Sequence, residues 1–138
     1  MTIYTRIIAG ELPARFVWKD PLCVAFLDIQ PLRPGHTLVV PRVEIDHWLD
    51  IDAELATHLM GVAHAIGRAQ QAAFQPARVG LMIAGMAVPH VHLHVVPIDE
   101  LGDISFARAH NADPAALAQA AEEIRGELRG AGFAEAEF

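Results

Sequence analysis

The eight residues from 90 to 97 read His-Val-His-Leu-His-Val-Val-Pro and contain three of the eight histidines of the chain. Side chains of a β-strand point alternately to its two faces. An extended backbone therefore places the imidazoles of His90, His92 and His94 on one face and the intervening apolar side chains on the other, in a core. The β-branched content and the closing Pro97 also favour a strand.

A row of three imidazoles allows three interpretations. Imidazole is the commonest zinc ligand, but a third ligand further along the same strand fits tetrahedral geometry poorly. Three solvent-facing histidines without a function are improbable beside an apolar run. The pattern favours nucleophilic catalysis by the central residue, His92, with its neighbours orienting it and contacting the substrate.

The same stretch resembles the signature of the histidine triad (HIT) superfamily of nucleotidyl hydrolases and transferases, His-φ-His-φ-His-φ-φ with φ apolar. Two further segments support the resemblance. In residues 25–42 an apolar strand, an acidic residue, a proline and a Gly-His pair precede another apolar strand. Residues 3–14 resemble the N-terminal helix and turn of the family. The resemblance covers about residues 3–97, and residues 98–138, which read as a loop and a helix, carry no motif of the family.

Composition narrows the class of protein. The 138 residues suffice for a single domain, 1–138, with its own core. A net charge of −7 argues against a nucleic-acid polymer as partner, but it allows a mononucleotide. The lone Cys23 excludes an intrachain disulfide. We expect a cytoplasmic protein without a membrane anchor, because the chain shows neither a signal peptide nor an apolar run of about 20 residues.

The periodicity predicts an α+β fold in which one antiparallel sheet of about five strands is backed by two main helices. The resemblance implies that this is a HIT-like fold. Strands are predicted at residues 15–19, 22–28, 36–42, 78–84 and 89–97. Helices are predicted at residues 2–9, from the N-cap Asp52 to about residue 74, and from the N-cap Asp113 to about residue 130. A single turn at 46–50 is expected to tuck Trp48 inward, and His58 and His64 are expected to be ordinary helix residues outside any site.

The resemblance implies roles for four histidines. It makes His92 the nucleophile that takes a nucleotidyl group from the α-phosphate and then loses it to water. A backbone carbonyl at Nδ1 would fix the tautomer of this ring and leave Nε2 free to attack. His94 and His90 would contact phosphate oxygens or pass protons to the leaving group, and His36 matches the fourth histidine of the family.

The resemblance also implies a substrate-binding set. Asp28 matches the acidic residue that holds the ribose hydroxyls, although a strand-end cap is an equally good interpretation of the residue alone. Phe26 and Ile29 flank Asp28 and are candidates to sandwich the base, or else ordinary core residues.

The loop before the triad departs from the family pattern. Members of the Hint and Fhit branches of the family carry an Asn and a Gly-Gln-Ser/Thr segment there, whereas this chain has Met86 in place of the Gln and Ala87 in place of the hydroxyl residue. Gly85 and the backbone amides beside it remain as phosphate donors. Loss of one transition-state donor costs on the order of a hundredfold in rate.

A second departure concerns metal. Many bacterial relatives hold structural zinc through Cys-x-x-Cys near the N-terminus and a later His, but this chain has Thr2, Thr5 and Glu44 at those positions. We therefore expect no bound metal, and the resemblance implies no other cofactor.

The resemblance implies a homodimeric hydrolase of nucleoside phosphoramidates or related nucleoside phosphate esters, with purine nucleotides favoured. Two alternatives stay open. One is a nucleotide-binding module with little turnover, because the loop before the triad lacks the polar side chains of the family pattern. The other is a metal-dependent hydrolase that uses the histidine cluster. The sequence defines neither the leaving group nor the base preference.

Overall fold

The computed structural model describes residues 1–138 and contains one five-stranded antiparallel sheet with the strand order β1-β2-β3-β5-β4. The strands are β1 Phe16–Lys19, β2 Cys23–Leu27, β3 Thr37–Pro41, β4 Arg78–Met82 and β5 Leu93–Ile98. The helices are α1 Ile3–Ile8, α2 Ala53–Phe74 and α3 Pro114–Gly130. The predicted α+β architecture, with one antiparallel sheet and two main helices, is confirmed. No helix has the length and the apolar character needed to cross a membrane.

The two faces of the sheet carry different cores. Val91, Leu93 and Val95 point away from the triad histidines, as predicted, into a core of 21 buried residues shared with α2 and α3. The opposite face carries a smaller core of six buried residues, to which α1 contributes Tyr4 and Ile7. The alternation from residue 90 to residue 95 therefore places the histidines on the α1 side of the sheet.

The helix starts follow the predicted capping residues. The Asp52 side chain accepts a hydrogen bond from the Leu55 amide at 2.7 Å, and Asp113 caps α3 with Pro114 in the first turn. Thr2 caps the short α1 by accepting from the Thr5 amide. These caps satisfy amides that have no partner inside their own helix.

The fifth strand begins later than predicted, at Leu93 rather than at residue 89. The register pairs Val39 with Leu93, so its continuation would join Val40 to His92 and then Pro41 to Val91. Proline has no amide hydrogen to donate, and the Val91 amide instead donates to the Ile45 carbonyl at 2.8 Å. The first two triad histidines consequently lie in the segment that leads into the strand.

The expectation that Trp48 is tucked inward is wrong. Its side chain is 46% exposed, in a three-residue 3-10 turn, Trp48–Asp50. Ile45 and Ile51, on either side of the turn, pack against the larger core in its place.

Candidate active site

A cavity of about 310 Å³ opens on the α1 side of the sheet. It lies where β5 meets the loop after β2, the loop before the triad and the segment that follows β5. Five predicted site residues line it: Asp28, Gly85, Met86, His92 and His94. The structure therefore brings together groups that are up to 66 residues apart in the sequence.

The ring of His92 is held in one orientation by its own backbone. Its Nδ1 lies 2.7 Å from the His90 carbonyl oxygen. A carbonyl can only accept, so we assign the proton of the neutral ring to Nδ1 and a free lone pair to Nε2. Burial lowers the pKa of His92, against the opposing effects of this hydrogen bond and the Asp28 charge. The neutral ring with a free Nε2 is the form that a nucleophilic imidazole requires.

His36 and His94 form a hydrogen-bonded pair beside it. The Leu32 amide donates to His36 Nδ1 at 3.1 Å, which assigns the His36 proton to Nε2. This Nε2 lies 3.0 Å from His94 Nδ1, so the His94 proton is assigned in turn to its own Nε2. His94 Nε2 has no partner within the protein. The chain of bonds thus makes the cavity-lining His94 a hydrogen-bond donor to a ligand.

Burial keeps this pair neutral. Desolvation, reinforced by the neighbouring imidazoles, lowers the pKa of His36 to about 3 and that of His94 to about 4. His36 is almost fully buried and does not line the cavity, so it acts through His94.

His90 does not reach the cavity, contrary to the expectation that it contacts phosphate. Its ring is fully buried, with Nε2 2.8 Å from the Pro41 carbonyl oxygen and Nδ1 2.8 Å from the Thr2 hydroxyl. The carbonyl assigns the proton to Nε2, and Thr2 donates to Nδ1. Both ring nitrogens are therefore engaged, and the carbonyl of His90 is the group that orients His92.

Asp28 faces the histidine cluster. One carboxylate oxygen accepts from the Gln30 amide at 2.9 Å, and the other lies 3.8 Å from His36 Nε2. Burial raises the pKa of Asp28, while the Gln30 amide and His92 oppose that rise. The carboxylate retains lone pairs for hydroxyl groups of a ligand, since it accepts only one short hydrogen bond from the protein.

The two candidates for a base sandwich lie elsewhere. Phe26 is buried in the smaller core, where its ring meets Tyr4 edge-on at a centroid distance of 5.6 Å. Ile29 is 71% exposed and borders a separate cavity beside Asn111. Neither side chain lines the histidine cavity. Phe26 is an ordinary core residue, which was the second of its two interpretations from the sequence.

The loop before the triad forms one wall through backbone and apolar side chains. Gly85 has a φ of 74°, in the left-handed region that glycine adopts without strain. The amides of residues 84–88 make no hydrogen bond within the protein. They are consequently available to an anionic ligand in place of the missing Gln and Ser/Thr side chains.

Ala84 and Ala87 of the loop before the triad also line the cavity, and sequence reasoning missed five further lining residues outside that loop. They are Tyr4, Gln30, Leu32, Phe106 and Ala109. Phe106 meets the His94 ring edge-on at a centroid distance of 5.2 Å. Ion pairs of Arg33 with Asp99 and Asp103, at 2.8 and 2.7 Å, tie the segment that carries Phe106 to the loop after β2. No local motif marks Phe106, which stands alone in an irregular stretch.

The two helix histidines lie outside the cavity, as predicted. His64 is exposed on α2, whereas His58 is half-buried with Nε2 2.7 Å from Asp20. His58, Asp20 and Cys23 present possible ligand atoms within 4.8 Å. Their hydrogen-bonding needs are met internally, because the Asp20 carboxylate also accepts from the Trp18 indole at 2.7 Å. Burial, with the Asp20 charge, raises the pKa of the Cys23 thiol and disfavours a thiolate ligand.

The three triad imidazoles do not converge on a metal position, because His90 has both nitrogens engaged. Asp28, His36 and His94 do offer ligand atoms within 4.8 Å. However, His36 is committed to Leu32 and His94 through both of its nitrogens. This geometry favours an organic phosphate ligand over the metal-dependent alternative.

The fold and this histidine cluster together define a histidine triad protein. A sequence model of the HIT domain matches residues 9–101, so the chain belongs to the HIT family. This family is part of a superfamily of nucleotide-binding hydrolases. An uncharacterized HIT-like protein of Methanocaldococcus jannaschii is 35% identical over 133 residues, which are 91% of this chain and 100% of that protein.

Solved structures agree with this assignment. A Hit-like protein from Bartonella henselae, described as involved in cell-cycle regulation, has a TM-score of 0.80 at 30% identity, with 91% of this chain and 95% of that chain covered. A zinc-bound histidine triad family protein from Mycobacterium smegmatis has a TM-score of 0.81 at 27% identity, with 94% of each chain covered.

The N-terminal cluster of Thr2, Thr5, Glu44 and His90 does not fit zinc. One Glu44 oxygen accepts from the Thr2 amide and the Thr5 hydroxyl, both at 2.6 Å, and the Thr2 hydroxyl occupies His90 Nδ1. Structural zinc sites combine thiolates and imidazoles, whereas two of the side chains here are neutral hydroxyls. A closed hydrogen-bond network stands where the resemblance places a metal.

We predict that the purified protein contains no stoichiometric zinc after dialysis, because the threonine hydroxyls do not replace thiolate ligands. Elemental analysis of the dialysed protein checks this prediction. A value of one zinc per chain would overturn it and restore the metal-dependent alternative. The double variant Thr2→Cys/Thr5→Cys is the matched control and should gain affinity for zinc.

Proposed function

We propose that this chain hydrolyses nucleoside phosphoramidates or related nucleoside phosphate esters, with purine nucleotides favoured, through a nucleotidyl intermediate on His92. The observation that carries the proposal is the tautomer of His92, whose Nδ1 is pinned to the His90 carbonyl and whose Nε2 is free beside the donor Nε2 of His94. Nucleophile and donor thus stand side by side, with ring centroids 4.8 Å apart.

The chemistry divides into two displacements. In the first, the Nε2 lone pair of His92 forms a bond to the α-phosphorus, and the bond to the leaving nitrogen or oxygen breaks with its electron pair. The cationic ring is stabilised by its Nδ1–H bond to the His90 carbonyl and by the Asp28 charge. In the second, water replaces His92 at phosphorus, and the proton that this water loses balances the one that the leaving group gains.

The remaining walls suit a nucleoside phosphate. His94 Nε2–H and the free amides of residues 84–87 are donors for the phosphate oxygens, and Asp28 accepts from sugar hydroxyls. The net negative charge of the chain does not exclude such an anionic ligand, because binding requires only a local set of hydrogen-bond donors.

The alternative with a specific observation in its favour is a nucleotide-binding module with little turnover. The loop before the triad has no polar side chain, which removes donors that act in the transition state. A screen of adenosine and guanosine phosphoramidates, an aminoacyl adenylate and dinucleoside polyphosphates separates the two. Multiple turnover of any of them supports the hydrolase, while tight binding of the products without turnover supports the module.

Replacement of Asp28 by alanine is predicted to weaken binding of adenosine monophosphate without unfolding the protein. The change removes charge-assisted hydrogen bonds to the sugar, each worth about 1.5–3 kcal/mol. Calorimetric titration measures the loss, with the thermal unfolding curve as the control for folding. The role of Asp28 is wrong if the unmutated protein binds ribonucleotides and deoxyribonucleotides equally well.

We also propose a homodimer that forms through β4 and α2. Strand β4 is an edge of the sheet, and Leu81 on this strand and Met60 on α2 are 42% and 52% exposed beside a common groove. An exposed edge with apolar side chains favours pairing with a second chain.

Sedimentation at micromolar concentration should therefore show a species of twice 15.0 kDa. The variant Leu81→Glu should shift it toward the monomer by placing a charge in the interface, whereas the equivalent change at the exposed Leu101 should not. A 15 kDa species alone for the unmutated protein contradicts the proposal.

A further inference from the structure

The hydroxyl of Tyr4 is a polar group of the cavity that the reaction above leaves without a role. Tyr4 lines the cavity from α1, and its hydroxyl makes no hydrogen bond within the protein. Polar groups at the ends of buried aromatic rings usually find a partner. The Tyr4 hydroxyl is not among the buried polar atoms that lack a partner, so it is open to the cavity and available to a ligand there.

The ring that carries this hydroxyl is held by aromatic contacts. It meets His92 edge-on at a centroid distance of 5.0 Å, His90 at 5.8 Å and Phe26 at 5.6 Å. Only 9% of the residue is exposed. Such packing restricts the ring, so a hydrogen bond from its hydroxyl costs little additional side-chain entropy.

The hydroxyl is a donor at any working pH. Burial, together with the negative charge of Asp28, raises the pKa of Tyr4 above its ordinary value. Asp28 is ionisable and lines the same cavity, and its carboxylate can only accept hydrogen bonds. A sugar hydroxyl that donates to Asp28 keeps lone pairs that need a donor, and no other side-chain hydroxyl lines the cavity.

We propose that Tyr4 and Asp28 recognise the sugar edge of the nucleotide as a donor and acceptor pair. Asp28 accepts from the ribose hydroxyls, and the Tyr4 hydroxyl donates to the oxygen of one of them. Tyr4 is thereby a specificity-determining residue that favours ribonucleotides over deoxyribonucleotides. This inference rests on the proposed function, because it requires a nucleotide in the histidine cavity.

The test combines one conservative variant with three ligands. Binding of adenosine monophosphate and of its 2′-deoxy and 3′-deoxy forms is measured by calorimetry for the unmutated protein and for Tyr4→Phe. Loss of one neutral hydrogen bond should weaken binding of the ribonucleotide about fivefold. The same substitution should leave binding of one of the two deoxy forms unchanged, since that form lacks the oxygen that Tyr4 contacts.

A second readout is specific to this residue. Tyr4 is the only tyrosine of the chain, so a tyrosine labelled with ¹³C at Cζ gives one NMR signal. That signal should move on addition of the ribonucleotide and move less on addition of the deoxy form whose binding Tyr4→Phe leaves unchanged.

Each outcome separates the two proposals. If the unmutated protein binds none of the three ligands, both the proposed function and the role of Tyr4 fail. If it binds them and Tyr4→Phe has no effect, or weakens all three equally, the proposed function stands and the recognition of the sugar by Tyr4 is overturned. A thermal unfolding curve of Tyr4→Phe that matches the unmutated protein excludes a folding defect as the cause of any loss.

Discussion

Replacement of His92 by alanine is expected to abolish turnover of a nucleoside phosphoramidate while the nucleotide still binds. The lost group forms the bond to phosphorus, so its contribution is realised in the transition state and not in the bound substrate. Removal of a catalytic nucleophile lowers kcat by on the order of 10⁴- to 10⁶-fold. The Michaelis constant should change far less, because the cavity keeps Asp28 and the free amides of residues 84–87.

Two comparisons make the result specific to His92. His94→Ala should reduce turnover less, because it removes a donor and leaves the attacking atom in place. His47→Ala, at an exposed position before the Trp48–Asp50 turn and away from the cavity, is the control for the loss of an imidazole and should leave turnover unchanged. Mass spectrometry after a brief mix with substrate, under conditions that spare acid-labile bonds, should find a nucleotidyl mass on the peptide that contains His92. A His92→Ala protein that retains nearly the original turnover rate would contradict this mechanism.

The sequence predicts the parts of this site that depend on local periodicity. The alternation from 90 to 97 correctly separates the apolar side chains from the histidines, because Val91, Leu93 and Val95 all reach the larger core. Helix starts at Asp52 and Asp113 are also predictable, since capping is a contact between residues three or fewer positions apart.

The missed features depend on contacts between distant segments. The engagement of His90 by Thr2 and by the Pro41 carbonyl joins residues 88 and 49 positions apart, so alternation alone suggests a ring that faces the substrate. Phe106 belongs to a segment that ion pairs from Arg33 hold against the loop after β2, 66 and 70 positions away. The unpartnered hydroxyl of Tyr4 becomes apparent only when the neighbours of its ring are known.

The buried histidines also make the fold sensitive to acid, and the free energy of unfolding should fall steeply below pH 6. His36 and His94 have an ordinary pKa of 6.5 in the unfolded chain but about 3 and about 4 in the folded protein, because burial disfavours the imidazolium. Between those values the unfolded chain binds protons that the folded protein does not. Acidification therefore favours unfolding, by up to about 1.4 kcal/mol per pH unit for each histidine.

Acidification from pH 6 to 4.5 therefore lowers the free energy of unfolding by several kcal/mol through these two histidines. A typical domain has a free energy of unfolding of about 5–15 kcal/mol in total. Asp28 opposes part of the loss at the acidic end, because its raised pKa lets the folded protein bind a proton before the unfolded chain does. Urea unfolding at half-unit steps from pH 7.5 to 4.5 measures the effect.

The matched variant for this acid sensitivity is His36→Gln, which keeps a polar side chain at the buried position and removes its titration. Its stability is expected to be lower at neutral pH, because the bonds to Leu32 and His94 are disturbed. The slope of the free energy of unfolding against pH, between pH 6 and 4.5, should nevertheless fall by the equivalent of about one bound proton. This difference in slope reports the buried imidazole of His36. A slope identical to that of the unmutated protein would show that His36 is not held neutral by burial, and the tautomer chain from Leu32 through His36 to His94 would lose its basis.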